Sequence, residues 1–157
     1  HYGGDSGDTS RYRAGTLWFA HNTVLSERTG NTTLVRLSAS DHTVYVENSV
    51  LHAVGSLAVL ESQGTAVVED SWLPTGWRDS HSSSFSGAVT PAGVLTGADP
   101  GFEDQGARDV HLGAGAPGLD QAGPLAAAVV VDEEFADREP AVRVDDGAPD
   151  MGAHERP

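Results

Sequence analysis

An all-β solenoid of parallel strands stacked coil upon coil is the fold class this sequence predicts, and three observations carry it. A five-residue pattern of apolar, polar, Asn or Asp, hydroxyl and apolar recurs at residues 20–24, 46–50 and 68–72, and its third positions, Asn22, Asn48 and Asp70, lie 26 and 22 residues apart. Repeats of about 20 to 50 residues belong to stacked units that cannot bury their own apolar face and must use a neighbour's. Each period also holds about two short β-branched or aromatic runs separated by polar turns, the rhythm of a solenoid coil rather than of a hairpin. Finally, 19 Gly and 8 Pro in 157 residues favour many turns over long helices.

Taken in order, residues 1–15 are rich in Gly, Asp, Ser and Arg and read as an irregular leading loop. Strand-like runs follow at 16–24, 33–37, 43–50, 57–60 and 65–72. Turn signals separate them at Thr29-Gly30-Asn31, Ala39-Ser40-Asp41 and Gln63-Gly64. After Pro74 the pattern decays into a Ser-rich stretch at 80–86, one further strand candidate at 89–95, and a Gly, Pro, Ala and Asp region at 99–123. The apolar run 125–131 suits either a strand or a short helix, because Ala126–Ala128 favours helix and Val129–Val131 favours strand. The chain is read as one domain: coils with their leading loop over 1–98, and a C-terminal capping segment over 99–157 that carries a last short strand candidate after Ala141.

Aligning the units on Asn22, Asn48 and Asp70 predicts three inward columns: Trp18, Val44, Ala66; Ala20, Val46, Val68; and Val24, Val50, Trp72. Phe19, Tyr45 and Val67 then face outward with His21, Glu47 and Glu69. For the first unit alone the opposite phase, with Leu17 and Phe19 inward, stays open. Asn22, Asn48 and Asp70 themselves are expected at bends, stacked ~4.8 Å apart in a structural ladder that bonds the backbone.

Formal charge is 9 minus 23, or -14, and every cation is Arg because the chain has no Lys. Such a surface repels phosphate backbones and anionic lipid, which argues against nucleic-acid partners. Cysteine is absent, so disulfides and thiolate metal sites are excluded. No apolar stretch reaches the length of a membrane span, so no membrane insertion is expected.

The Asn repeats, the turn Asp99-Pro100-Gly101-Phe102, the stretch 109–123 with its Pro117-Gly118-Leu119-Asp120-Gln121-Ala122-Gly123, and the closing Asp150-Met151-Gly152-Ala153-His154-Glu155 together resemble the C-terminal part of right-handed parallel β-helix proteins of the pectate-lyase-like superfamily. The likeness runs from about residue 15 to 157, and departs from the family at Gly115 and Gly118, where Ser and an apolar residue are usual. It implies an extracellular or periplasmic protein, a polysaccharide or cell-surface glycan as partner, and a lyase, hydrolase or epimerase ancestry whose sites lie on outward strand faces of middle coils.

Candidate chemistry follows from the outer columns. His21 beside Glu47 offers a base, with Arg36 as a cation for an acidic sugar, since a lyase lacking Lys must use an Arg such as Arg11, Arg13, Arg36 or Arg78. Glu47 and Glu69 offer carboxylates to Ca2+. Phe19 and Tyr45 offer a stacking platform for sugar rings. Each has a plain counterpart: solvated acids on an outer face, or aromatics beneath the leading loop. Two coincidences are set aside. Gly4-Asp5-Ser6-Gly7 is not expected to be a protease loop, because the repeat is not the barrel such a loop needs, and a copper-chelating His1 belongs to β-sandwich enzymes.

Both ends of a solenoid need covering. The segment from residue 99 can cover one with Phe102, Leu112, Leu119 and the run 125–131, whereas nothing as apolar precedes Gly15. The N-terminal coil is therefore expected to be covered by further chain or by another subunit. The leading functional expectation is a secreted polysaccharide-associated β-helix module, the C-terminal portion of a larger carbohydrate-active protein, without a complete active site of its own. The alternatives are a polysaccharide lyase or glycoside hydrolase, and a structural or adhesive surface scaffold.

Overall fold

The structure, a computed structural model, describes residues 1–3, 13–126, 128–136, 139–144 and 147–156. Among them the chain forms a parallel β-solenoid of about three turns with almost no helix. The first coil is β1 (Thr16–Ala20), β2 (Thr23–Ser26) and β3 (Thr32–Leu37). The second is β4 (Thr43–Glu47), β5 (Val50–Ala53) and β6 (Leu57–Ser62), and the third holds β7 (Thr65–Glu69) and β8 (Trp72–Pro74). Strands β9 (Ala88–Ala92) and β10 (Leu95–Gly97) begin one more winding. Equivalent strands pair in parallel as β1-β4-β7-β9, β2-β5-β8-β10 and β3-β6, so each sheet is one side of a prism.

The first sheet is continuous in register: Leu17, Val44, Ala66 and Val89 form one file, and Phe19, Val46, Val68 and Pro91 the next. Val44, Val46, Ala66 and Val68 are at most 1% exposed, as the columns predicted. The first unit, however, takes the other phase. Ala20 pairs with Glu47 rather than with Val46, so Leu17 and Phe19 pack on the core and Trp18 and Ala20 leave it. Apolar demand decides this, because the slip buries Leu17 and Phe19 instead of an indole and a methyl.

At the bend between the first two sheets sits a column of left-handed residues: His21 (φ 49°), Asn48 (φ 49°), Asp70 (φ 43°) and Gly93 (φ 62°). Asn and Asp tolerate this conformation and Gly is free in it. The next column, Asn22, Ser49 and Ser71, carries the side-chain ladder. Ser49 Oγ accepts from Asn22 N–H at 3.1 Å and donates to the Glu47 carbonyl at 2.9 Å. Ser71 Oγ does the same for Ser49 N–H at 3.0 Å and the Glu69 carbonyl at 2.8 Å. The expected ladder of Asn22, Asn48 and Asp70 is thus corrected: it runs through the hydroxyls one position on, and only Asn22 belongs to it.

The bend also resets alternation. Leu51 and Leu73 enter the main core, while Val50 and Trp72, expected inside, face outward on the second sheet and are still 1% exposed. They are covered by the C-terminal segment, through Leu112 and Met151 with Phe102, Leu119 and Ala122. That segment contains the antiparallel pair β11 (Phe102–Asp104) and β12 (Asp109–Leu112), and the antiparallel pair β13 (Glu133–Ala136) and β14 (Glu139–Val142). Phe102, Leu112 and Leu119 therefore bury a flank of the prism, not the end where they were expected. Residues 125–131 form neither strand nor helix among the described positions. No helix among the described residues is long and apolar enough to cross a membrane.

The closing motif explains itself physically. Asp150, 1% exposed, accepts from the N–H groups of Asp120 at 2.7 Å and Arg156 at 2.9 Å. Glu155 accepts from Asp150 N–H at 3.0 Å and from Arg143 Nε at 2.6 Å. Gly152 (φ 97°) donates to the Asn48 carbonyl at 2.7 Å, where a Cβ would lie 2.7 Å from Thr23 Oγ1.

Candidate functional site

Two regions collect chemistry-bearing side chains. One is the outward face of the first sheet; the other is the bend where the C-terminal segment crosses the left-handed column.

On the outward face, the register slip places Trp18 opposite Tyr45, and their rings stack with centroids 4.4 Å apart and planes 19° from parallel. Trp18 is 38% exposed and Tyr45 half-buried. This corrects the expected platform of Phe19 and Tyr45: Phe19 packs on the core, and Trp18 takes its place. Beside the aromatics runs a row of hydroxyls, with Thr16, Thr43 and Thr65 in register.

The file His21, Glu47, Glu69 does not form. Glu47 and Glu69 are register partners, but Ala20 is the third member and His21 lies at the bend. Glu47 is 5% exposed, and its Oε2 has no hydrogen-bond partner among the described residues. Burial first and the neighbouring Glu69 charge second push its pKa up, while the Ala126 N–H pulls it back. Ca2+ wants six to eight oxygens, roughly, around a cavity open to it. Two stacked carboxylates, one covered by the segment through Ala126, do not meet that demand. No group of three His, Asp or Glu able to hold a metal is found among the described residues.

His21, expected outside as a base, is only 9% exposed. Its Nε2 accepts from Asn48 Nδ2 at 3.2 Å. Burial first, and the nearby Arg143 charge second, lower its pKa to about 4, with the Asp150 and Gly152 carbonyls opposing. The imidazole is therefore neutral near pH 7. Arg36 is exposed on β3, on the third side of the prism, and pairs with Glu61 in register rather than approaching His21. The triad of His21, Glu47 and Arg36 is not assembled. Arg11 lies outside the described residues, with Asp5 and Asp8.

The second region includes a cleft of about 540 Å³, with His21, Leu125, Val129, Val131 and Arg143 among its walls. Arg143 is 9% exposed and already engaged by Glu155, by the Asp150 carbonyl at 3.0 Å and by the Gly152 carbonyl at 3.3 Å. Its charge is thus spent on holding the C-terminal segment rather than offered to a ligand.

Sequence reasoning missed Trp18 because the bend pattern was aligned one residue out. The signal that could have found it was the choice between burying Trp18 with Ala20 or Leu17 with Phe19. Comparison with protein-family models, curated proteins and solved structures gives no match to this chain.

Proposed function

We propose that this chain is a polysaccharide-associated β-solenoid module that works outside the cytoplasm and holds a glycan against the outward face of its first sheet. The observation that carries this reading is the stacked Trp18–Tyr45 pair, half open to solvent on a parallel sheet and flanked by in-register threonines. Aromatic faces stack on the C–H faces of sugar rings, and hydroxyl rows at ~4.8 Å spacing supply repeated hydrogen bonds along an extended chain. A net charge of -14 favours a neutral glycan over a uronate polymer, which would be repelled. Glycoside hydrolysis by Glu47 and Glu69 is the weaker reading, because the segment through Ala126 covers Glu47 and would have to leave first.

The test is binding of a panel of soluble neutral and acidic polysaccharides by affinity electrophoresis and calorimetry. A neutral glycan should be retained by the wild-type chain, weakened about tenfold or more by Trp18→Ala, at roughly 1.4 kcal/mol per decade, and unaffected by Arg36→Ala on another side of the prism. No retention by any glycan, or equal retention by Trp18→Ala, rejects the reading.

A further inference from the structure

The cleft at the bend is walled by residues that neither core uses. Leu125, Val129, Val131, Val142 and Val144 line it, and none of the five packs into either core. Val142 is 80% exposed and Val144 44%. The walls are nonetheless held in place: the Val129 N–H donates to the Ala126 carbonyl at 2.8 Å, and the Arg143 N–H to the Asp132 carbonyl at 3.0 Å. At about 540 Å³ the space falls within the ~300–1,000 Å³ of small-molecule sites. His21 adds an unanswered polar group to the wall. Asn48 accepts from the Gly123 N–H at 2.9 Å through Oδ1 and donates to the Gly123 carbonyl at 2.7 Å through Nδ2, which fixes the way its amide faces. Nδ2, a donor only, therefore meets His21 Nε2 at 3.2 Å, so Nε2 holds the lone pair and Nδ1 the proton. That Nδ1 is buried and has no hydrogen-bond partner among the described residues, although the carbonyls of Asp150 and Gly152 stand near the ring.

We propose that this cleft binds an uncharged acyl chain, its aliphatic carbons against the valines and its ester carbonyl oxygen accepting from the His21 Nδ1–H. Each part of the wall disfavours a competing chemistry. Apart from His21, no aromatic side chain is among the described lining residues, so a bare sugar or a flat aromatic ring finds no stacking face. A carboxylate finds no free cation, because Arg143 is engaged by Glu155 and by the carbonyls of Asp150 and Gly152, and the exposed Asp132 repels it. An ammonium group cannot accept from the imidazole N–H. An ester on an alkyl chain meets all three conditions: it is neutral, apolar along its length and an acceptor at one end. The cleft also borders the outward face of the first sheet. His21 follows β1 directly, and Ala126, next to Leu125, reaches Glu47 on that face. The acyl group is thus that of a lipid or one esterified to a glycan, and the cleft's chemistry is the same for both, whether or not the glycan reading holds.

The experiment titrates methyl hexanoate, sodium hexanoate and the hexanoyl ester of methyl glucoside into the intact chain, read by methyl NMR and by long-range nitrogen–proton NMR of the histidine rings. Methyl hexanoate should give saturable shifts at the methyls of Val129, Val131 and Val142 and at His21 Nδ1. Hexanoate should bind about tenfold more weakly or not at all. Val142→Asp, at a position 80% exposed and so harmless to the coils, should abolish the shifts of Val129 and Val131. His21→Asn keeps a residue that tolerates φ 49° but is too short to reach the carbonyl, and should weaken ester binding about tenfold. Tighter binding of the sugar ester than of the methyl ester assigns the acyl group to a glycan, and equal or weaker binding assigns it to a lipid. No saturable shift at the valines, hexanoate bound as tightly as its ester, or ester binding unchanged in Val142→Asp or His21→Asn overturns the proposal.

Discussion

Asn48 and Gly123, 75 residues apart, exchange two hydrogen bonds: the Gly123 N–H donates to Asn48 Oδ1 at 2.9 Å, and Asn48 Nδ2 donates to the Gly123 carbonyl at 2.7 Å. One side chain at a solenoid bend thus imitates a backbone partner and clips the C-terminal segment to the coils. The same amide group reaches His21 in the coil before, and a Cβ on Gly123 would stand 1.9 Å from Asp70 Oδ2 in the coil after.

Asn48→Ala should therefore cost about 2–4 kcal/mol, from buried groups left without partners and a Cβ residue without side-chain compensation at positive φ. Hydrogen exchange should show lost protection at Gly123 and Gly152, while the amides of Val46 and Val68 stay protected. Equal loss throughout the first sheet would contradict the clip.

Arg143→Met should detach the closing motif. It takes the cation away from buried Glu155 and one donor away from each of the carbonyls of Asp150 and Gly152, at about 3–5 kcal/mol. Chemical denaturation with hydrogen exchange at residues 150–156 checks this, and unchanged protection there would speak against it.

Much of this was legible beforehand, and the exceptions share one cause. Val44, Val46, Ala66 and Val68 were placed inside by simple alternation, because within a strand the pleat leaves no choice. Alternation fails across the bend, where a left-handed residue rotates the chain and sends Leu51 rather than Val50 inward. The bend also accepts His21, Asn48, Asp70 or Gly93, so its sequence signature differs in every coil. His21-Asn22-Thr23 looks like Asn48-Ser49-Val50 shifted by one, and that likeness cost the position of Trp18. The flank beneath Met151 was illegible for another reason: nothing local in Val50 or Trp72 says which surface will cover them.

Stability should fall as pH drops through the range set by His21. Its folded pKa of about 4 lies below the ordinary imidazole value of about 6.5, so the unfolded chain binds the extra proton first. Stability is full above about pH 6.5 and is lost progressively toward pH 4, by about 3 kcal/mol. His52 and His154 are also lowered by burial and add in the same direction. Urea midpoints measured between pH 4 and 7 should show the slope, and His21→Asn should reduce it. A flat profile would contradict the buried neutral imidazole.

Glu47→Gln should stabilise the chain at pH 7, on the order of 1 kcal/mol, by removing a buried charge beside Glu69. Here the sign is opposite to that of His21. A raised carboxyl pKa means stability is lost as pH climbs above the unfolded value, so the gain should vanish in acid. Thermal unfolding of both proteins at pH 4 and pH 7 checks it; a destabilised variant at pH 7 would show that Glu47 is needed as an anion.

The register of the first sheet underlies the platform, the bend and the clip alike, and backbone NOEs in a labelled sample measure it directly. Parallel in-register coils require cross-strand contacts of Ala20 with Glu47 and of Glu47 with Glu69, together with ring contacts between Trp18 and Tyr45. Contacts of Ala20 with Val46, or antiparallel patterns between these strands, would contradict the account.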